Sequence, residues 1–166
     1  MKRIYCSPIA PKVECIDGMT KHIVRWDFQQ EQQDEELVCS CMAEEYATKP
    51  TIHDIKKTIF DWINQKATDT IVEGFVYNGV QIWLSNENQV NYSAVLSALM
   101  QNESILPVTI RGGSNEAPQT ITFDTAASFR AFWMAMRQHI DNTVHAAWNE
   151  KDEYDFSPYE QALSAI

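Results

Sequence analysis

The sequence predicts an α+β fold in which an antiparallel sheet carries helices, preceded by a small β-rich N-terminal segment. Three observations predict it. Asn78-Gly79 separates two alternating apolar runs, residues 70–77 and 80–84, and suits a type I′ hairpin turn, whose central residues both need φ > 0. Three stretches repeat apolar residues at the helical period. A second turn, Gly112-Gly113-Ser114-Asn115, joins two further strand-like runs. The expected order is helix–hairpin–helix–hairpin–helix.

Residues 1–49 read as β-rich. Pro8 and Pro11 keep the extreme N-terminus extended or irregular. A short strand at 13–16 ends at an Asp17-Gly18 turn. Residues 21–29 place His22, Val24, Trp26 and Phe28 on one face, with Ile23, Arg25 and Asp27 on the other. The polar run 29–34 reads as a hairpin tip, and 36–46 returns as a strand.

Residues 51–66 read as the first helix. Thr51 and Asp54 form a capping-box-like start, and Ile52, Ile55, Ile59, Trp62 and Ile63 form its stripe. After the 70–84 hairpin, residues 85–88 are N-cap candidates for a second helix carrying Val90, Tyr92, Val95, Leu96, Leu99 and Met100. Residues 105–111 and 120–123 are the second strand pair. Asp124 or Thr125 caps the last helix, whose broad stripe includes Phe129, Phe132, Trp133, Met136, Ile140, Val144 and Ala147. The domain reading is therefore a β-rich segment at 1–49, an α+β domain at 51–150 with its own core, and an acidic C-terminal tail at 151–166.

The 166 residues are 45% hydrophobic and 22% charged, enough to bury a core. The formal net charge of −10 repels phosphate backbones and anionic lipid, which argues against nucleic-acid and membrane-surface roles. No apolar run reaches the roughly 20 residues of a membrane span. Met1-Lys2-Arg3 is not followed by the apolar region of a signal peptide.

Cys6, Cys15, Cys39 and Cys41 read as reduced, partly buried thiols, because Cys39-Ser40-Cys41 lacks the spacing of a zinc knuckle and no second close pair exists. His139 and His145, six apart, do not share a helix face as metal ligands at i, i+4 do. His139 reads as a hydrogen-bonded edge histidine, His53 as a residue on the outer flank of its helix, and His22 as a packed one. A nucleophilic pair would require Cys39 or Cys41 to meet a histidine. Gly112-Gly113 sits in a hairpin, so no phosphate-binding loop is present. The expectation is no catalytic residue, no cofactor and no metal. Of the five tryptophans, Trp62 and Trp133 fit core stripes. Trp26, with Phe28 beside it, and Trp148 are the candidate partner-binding residues.

The central pattern, Trp62-Ile63-Asn64, then residues 75–83 (FVYNGVQIW), then 85–89 (SNENQ), 106–110 (LPVTI) and 121–125 (ITFDT) before Phe129, Phe132 and His139, resembles a domain of unknown function recurring in bacteriophage and prophage tail-fibre and tail-assembly proteins. The resemblance covers about residues 51–150 and carries no catalytic signature. It implies a non-enzymatic structural or assembly protein working through protein–protein contacts with tail components or a second copy. Its location would be the cytoplasm of a bacterial host or the virion. The alternatives are a small-molecule or peptide-binding module, or a hydrolase using a cysteine and a histidine.

Overall fold

Eight strands and four helices form among the described residues, 1–16, 21–33 and 36–166 of a computed structural model, and every strand pairing is antiparallel. The class is α+β. In chain order the elements are β1 (Lys2–Tyr5), β2 (Val13–Ile16), β3 (Lys21–Gln33), β4 (Glu36–Tyr46), α1 (Ile52–Glu73), β5 (Val76–Tyr77) and β6 (Val80–Gln81). Then come α2 (Asn86–Gln101), β7 (Val108–Gly113), β8 (Pro118–Phe123), α3 (Ala126–Asp152) and α4 (Ser157–Ala165). The chain divides into two compact units, Met1–Ile63 with Lys151–Ile166, and Asn64–Glu150. These boundaries differ from those read in the sequence. The first lies inside α1 rather than at residue 50, and residues 151–166 belong with the N-terminal sheet.

The first unit is built on a four-stranded sheet in the order β1-β4-β3-β2. Of the extended and irregular readings of the extreme N-terminus, the structure shows the extended one at β1. Pro8 and Pro11 constrain only themselves and the residue before each, so Lys2–Tyr5 are free to pair with residues 40–43 of β4. The Asp17-Gly18 turn lies outside the described residues. β3 continues past residue 29 to Gln33, because the polar run pairs with β4 through Gln33↔Glu36.

The β3–β4 register slips between Trp26 and Gln29, where β3 spends one residue more than β4. Asp27 takes φ 49° there, a left-handed conformation that Asp tolerates better than most residues. The Arg3 guanidinium pairs with its carboxylate, holding the bulge from β1. The bulge also ends the alternation that had placed Phe28 with Trp26.

α1 opens with the expected reciprocal cap. Thr51 Oγ1 accepts from Asp54 N at 3.2 Å, and Asp54 Oδ2 accepts from Thr51 N at 2.9 Å. The Thr51 hydroxyl, donating to Asp54 Oδ2 at 2.7 Å, and then Thr51 N hold the Asp54 carboxyl below its usual range. Ile55, Ile59 and Ile63 are fully buried, and Trp62 meets Trp26 edge-on with ring centroids 6.4 Å apart.

The segment read as an acidic tail is a helix with an anchored face. Pro158 sits in the first turn of α4, and Tyr159 is 1% exposed. Its hydroxyl donates to the Arg25 carbonyl at 3.0 Å and meets the Tyr154 hydroxyl at 3.1 Å. Burial, and then the Tyr154 hydroxyl, push the Tyr159 hydroxyl far above the ordinary tyrosine range.

A pH dependence follows. The folded value lies above the unfolded value of about 10, so the contribution of Tyr159 to stability is complete below that pH. Above it the contribution is lost at up to about 1.4 kcal/mol per pH unit. Tyr159→Phe is expected to cost about 1 kcal/mol at pH 8, through the lost hydrogen bond, and to flatten the alkaline fall. Denaturant titrations of both proteins between pH 8 and 11 check this. Parallel alkaline slopes would remove Tyr159 as the cause.

The second unit packs around the rings of Phe75, Tyr92, Phe123, Phe129 and Phe132, with Ile82, Leu84, Leu99, Ile110, Met136 and Ile140. α1 runs on to Glu73, so residues 70–73, read as strand, are helical. Ile63, Ala67 and Ile71 continue its i, i+4 row, and Ile71 packs on the core. Tertiary burial here overrides the β propensity of Thr70-Ile71-Val72. The hairpin is correspondingly short, but Asn78 and Gly79 have φ of 49° and 78°, as the turn requires. β5–β6 and β7–β8 are separate two-stranded sheets. β7 starts at Val108 rather than at residue 105, after Pro107, which lacks a ladder donor. Ser85 Oγ accepts from Asn88 N at 3.2 Å to cap α2, and Thr125 Oγ1 accepts from Ser128 N at 3.1 Å to cap α3.

Candidate functional site

A cleft of about 630 Å³ lies in the second unit, between α2 and β7. Its volume falls within the range of ordinary ligand pockets. Three local devices build it.

The first fixes Trp83. Ile82 N donates to Phe75 O and Leu84 N to Val72 O, both at 2.8 Å. Ile82 and Leu84 are fully buried, so the extended chain turns Trp83 outward between them, 51% exposed. Asn88 Nδ2 donates to Trp83 O at 2.8 Å, tying the first turn of α2 to this strand end.

The second is the wall from α2. Asn88, Asn91, Tyr92 and Val95 lie on one face at i, i+3, i+4 and i+7. Tyr92 is buried, edge-on to Phe132 at 5.2 Å, and burial pushes its hydroxyl up.

The third is β7. A Cβ at Gly112 would stand 2.6 Å from the Gln81 carbonyl oxygen and from Ile82 Cδ1, and 2.7 Å from Val80 Cγ1. Glycine is therefore what lets β7 seat against β6. All six residues of β7 line the cleft, and among the described residues β7 pairs on one side only, with β8. Arg111 is exposed, and it is the one charged side chain among the cleft's lining residues. It makes no ion pair among the described residues. The arrangement offers an aromatic face, amide and hydroxyl groups, one guanidinium and an unpaired strand edge. It can bind; it presents no nucleophile held against a base.

The residues singled out from sequence lie elsewhere. Trp26 has no solvent-accessible surface, at 0%, and packs as a core side chain of the first unit. Phe28 is half-buried beneath the Lys12 ammonium, 4.1 Å from the ring centroid. Burial lowers the Lys12 ammonium from its ordinary value. Trp148 is exposed on α3, with the His145 ring 5.4 Å away.

The histidines and thiols separate as well. His139 Nε2 donates to the Thr70 carbonyl at 3.1 Å, and its ring lies 5.5 Å from that of Phe75. It fastens the last turn of α1. His22 is buried, and Nδ1 has no partner among the described residues. Cys15 stands opposite His22 in the β2–β3 register, without a hydrogen bond between them. Cys39 meets the Cys6 thiol rather than a histidine. Among the described residues no three His, Cys, Asp or Glu side chains are placed to hold a metal ion.

Sequence reasoning passed over the cleft. The available signal was Trp83, set between Ile82 and Leu84 in an alternating run, where the period of two turns it away from the core. No helix of the described residues is long and apolar enough to cross a membrane. Comparison with known proteins finds no family model, no curated protein and no solved structure that matches this chain.

Proposed function

We propose that the chain is a non-enzymatic binding protein acting through protein–protein contact, and that its contact site is the cleft between α2 and β7. The observation that carries this reading is a strand that pairs on one side only, among the described residues, and lines a cleft beside an exposed tryptophan. An extended segment of a partner can add to such an edge through main-chain hydrogen bonds, while a flanking aromatic and polar side chains select its sequence. Arg111 supplies the charge, within a chain whose formal net charge is −10. The preferred occupant is accordingly an extended peptide segment that places a carboxylate against Arg111. The assembly setting, a phage- or prophage-tail system, rests on the sequence resemblance alone.

Selection of a displayed random-peptide library on the full chain tests the site. Enriched peptides should carry an acidic residue, and their binding should weaken tenfold or more in Trp83→Ala and in Arg111→Ala. Both side chains are exposed, so the variants should keep the wild-type melting temperature. Enriched peptides that bind both variants as tightly as wild type would place the contact elsewhere. For the assembly setting, the gene neighbourhood decides: tail genes on either side support it, and a neighbourhood without virion genes removes it.

A further inference from the structure

Cys6 and Cys39 lie in the first unit, outside the cleft. The backbone carries β1 one step past Tyr5↔Ser40, so that Cys6 N donates to Cys39 O at 3.0 Å. The two residues are therefore directly opposed in a hydrogen-bonded antiparallel pair. Such pairs hold their Cα atoms about 5.5 Å apart, in the middle of the range a disulfide accepts. Their side chains leave the sheet on one face, and the two Sγ atoms are 3.5 Å apart. Both thiols are free. Cys6 is half-buried at the end of β1, beside exposed Ser7, whereas Cys39 is 6% exposed. Cys41, two residues along β4, shares the face of Cys39 and is fully buried.

We propose that Cys6 and Cys39 form a dithiol–disulfide site, in which Cys6 is the attacking thiol and Cys39 the resolving one. With a disulfide oxidant such as oxidised glutathione, the Cys6 thiolate attacks one sulfur and expels one glutathione thiolate, leaving a mixed disulfide. The Cys39 thiolate then attacks Cys6 Sγ and expels the second glutathione. Two protein thiols lose two protons and two electrons, and one oxidised glutathione becomes two reduced ones. The bond joins β1 to β4 and closes a loop between residues 33 apart in sequence.

Burial pushes both thiols up from their ordinary value. That slows the attack and disfavours the thiolate pair that reduction regenerates, so the bond forms slowly and persists. Because the tie acts on the unfolded chain, the first unit should gain thermal stability on oxidation.

The test is to incubate the full chain with excess oxidised glutathione, map disulfides by mass spectrometry of protease digests, and follow unfolding with and without dithiothreitol. The expected result is a Cys6–Cys39 bond, a fall in titratable thiols from four to two, and a melting temperature raised by roughly 5 °C or more. Dithiothreitol should reverse all three. Cys41→Ser should still form the bond. Cys39→Ser should stop at a glutathione adduct on Cys6, and Cys6→Ser, at the more exposed position, should form no internal bond. Four thiols remaining in the wild type would overturn the proposal, as would a bond mapped to Cys15 or Cys41.

Discussion

Phe132→Ala is expected to destabilise the second unit by about 3–5 kcal/mol, enough to remove its cooperative unfolding. Phe132 is fully buried, and its ring centroid lies 5.2 Å from those of Tyr77 and Tyr92, 5.3 Å from Phe123, 5.7 Å from Phe129 and 5.9 Å from Phe75. These rings come from the β5 hairpin, α2, β8 and α3 itself. Truncation at this one position therefore opens a cavity where four elements meet. Two of these pairs are edge-on, an arrangement worth about 0.5–1.5 kcal/mol beyond area burial. Phe132→Leu keeps most of the volume but none of the ring geometry and should cost less than Ala. Amide hydrogen exchange read residue by residue separates this unit from the first. Protection in residues 75–140 should collapse in Phe132→Ala, while β3 and β4 keep theirs. A loss below about 1.5 kcal/mol would show that the ring cluster does not hold the unit together.

That cluster also shows how far the sequence could be read. Phe129, Phe132, Met136 and Ile140 were visible as one helical stripe because α3 buries one continuous face. The caps Thr51, Ser85 and Thr125 and the Asn78-Gly79 turn were visible because each rests on a local steric or hydrogen-bonding need. The failures have a different origin. Residues 70–73 are helical because Ile71 packs on the second core and the Thr70 carbonyl accepts from both Gly74 N and His139 Nε2. Neither partner is visible within a local window. β1 exists because β4 offers it an edge, and α4 because Tyr159 finds the Arg25 carbonyl, across 134 positions of sequence. The cleft depends on Gly112 admitting the backbone of β6, a contact between segments about 30 residues apart. Its polar lining, asparagine, threonine, serine and one arginine, is ordinary surface composition until the fold brings it together.

Trp26→Ala is the second large effect, expected to cost about 3–5 kcal/mol in the first unit. The indole has no exposed surface and meets Trp62 of α1 edge-on at 6.4 Å, so its removal leaves a cavity between sheet and helix. Its Nε1–H is buried without a hydrogen-bond partner among the described residues. An unpaired buried donor costs about 1–3 kcal/mol. Trp26→Phe gives up some packed area but removes that unpaired donor, and the two terms oppose one another. The expected net change for Trp26→Phe is below about 1.5 kcal/mol. A docking anchor makes the opposite prediction: both substitutions would leave the melt intact and change the solution mass or partner retention. Denaturant unfolding followed by near-ultraviolet circular dichroism, with light-scattering mass on the same samples, distinguishes the two. A stable Trp26→Ala protein with altered association would return Trp26 to the surface. A destabilised Trp26→Ala beside a near-neutral Trp26→Phe of unchanged mass assigns it to the core.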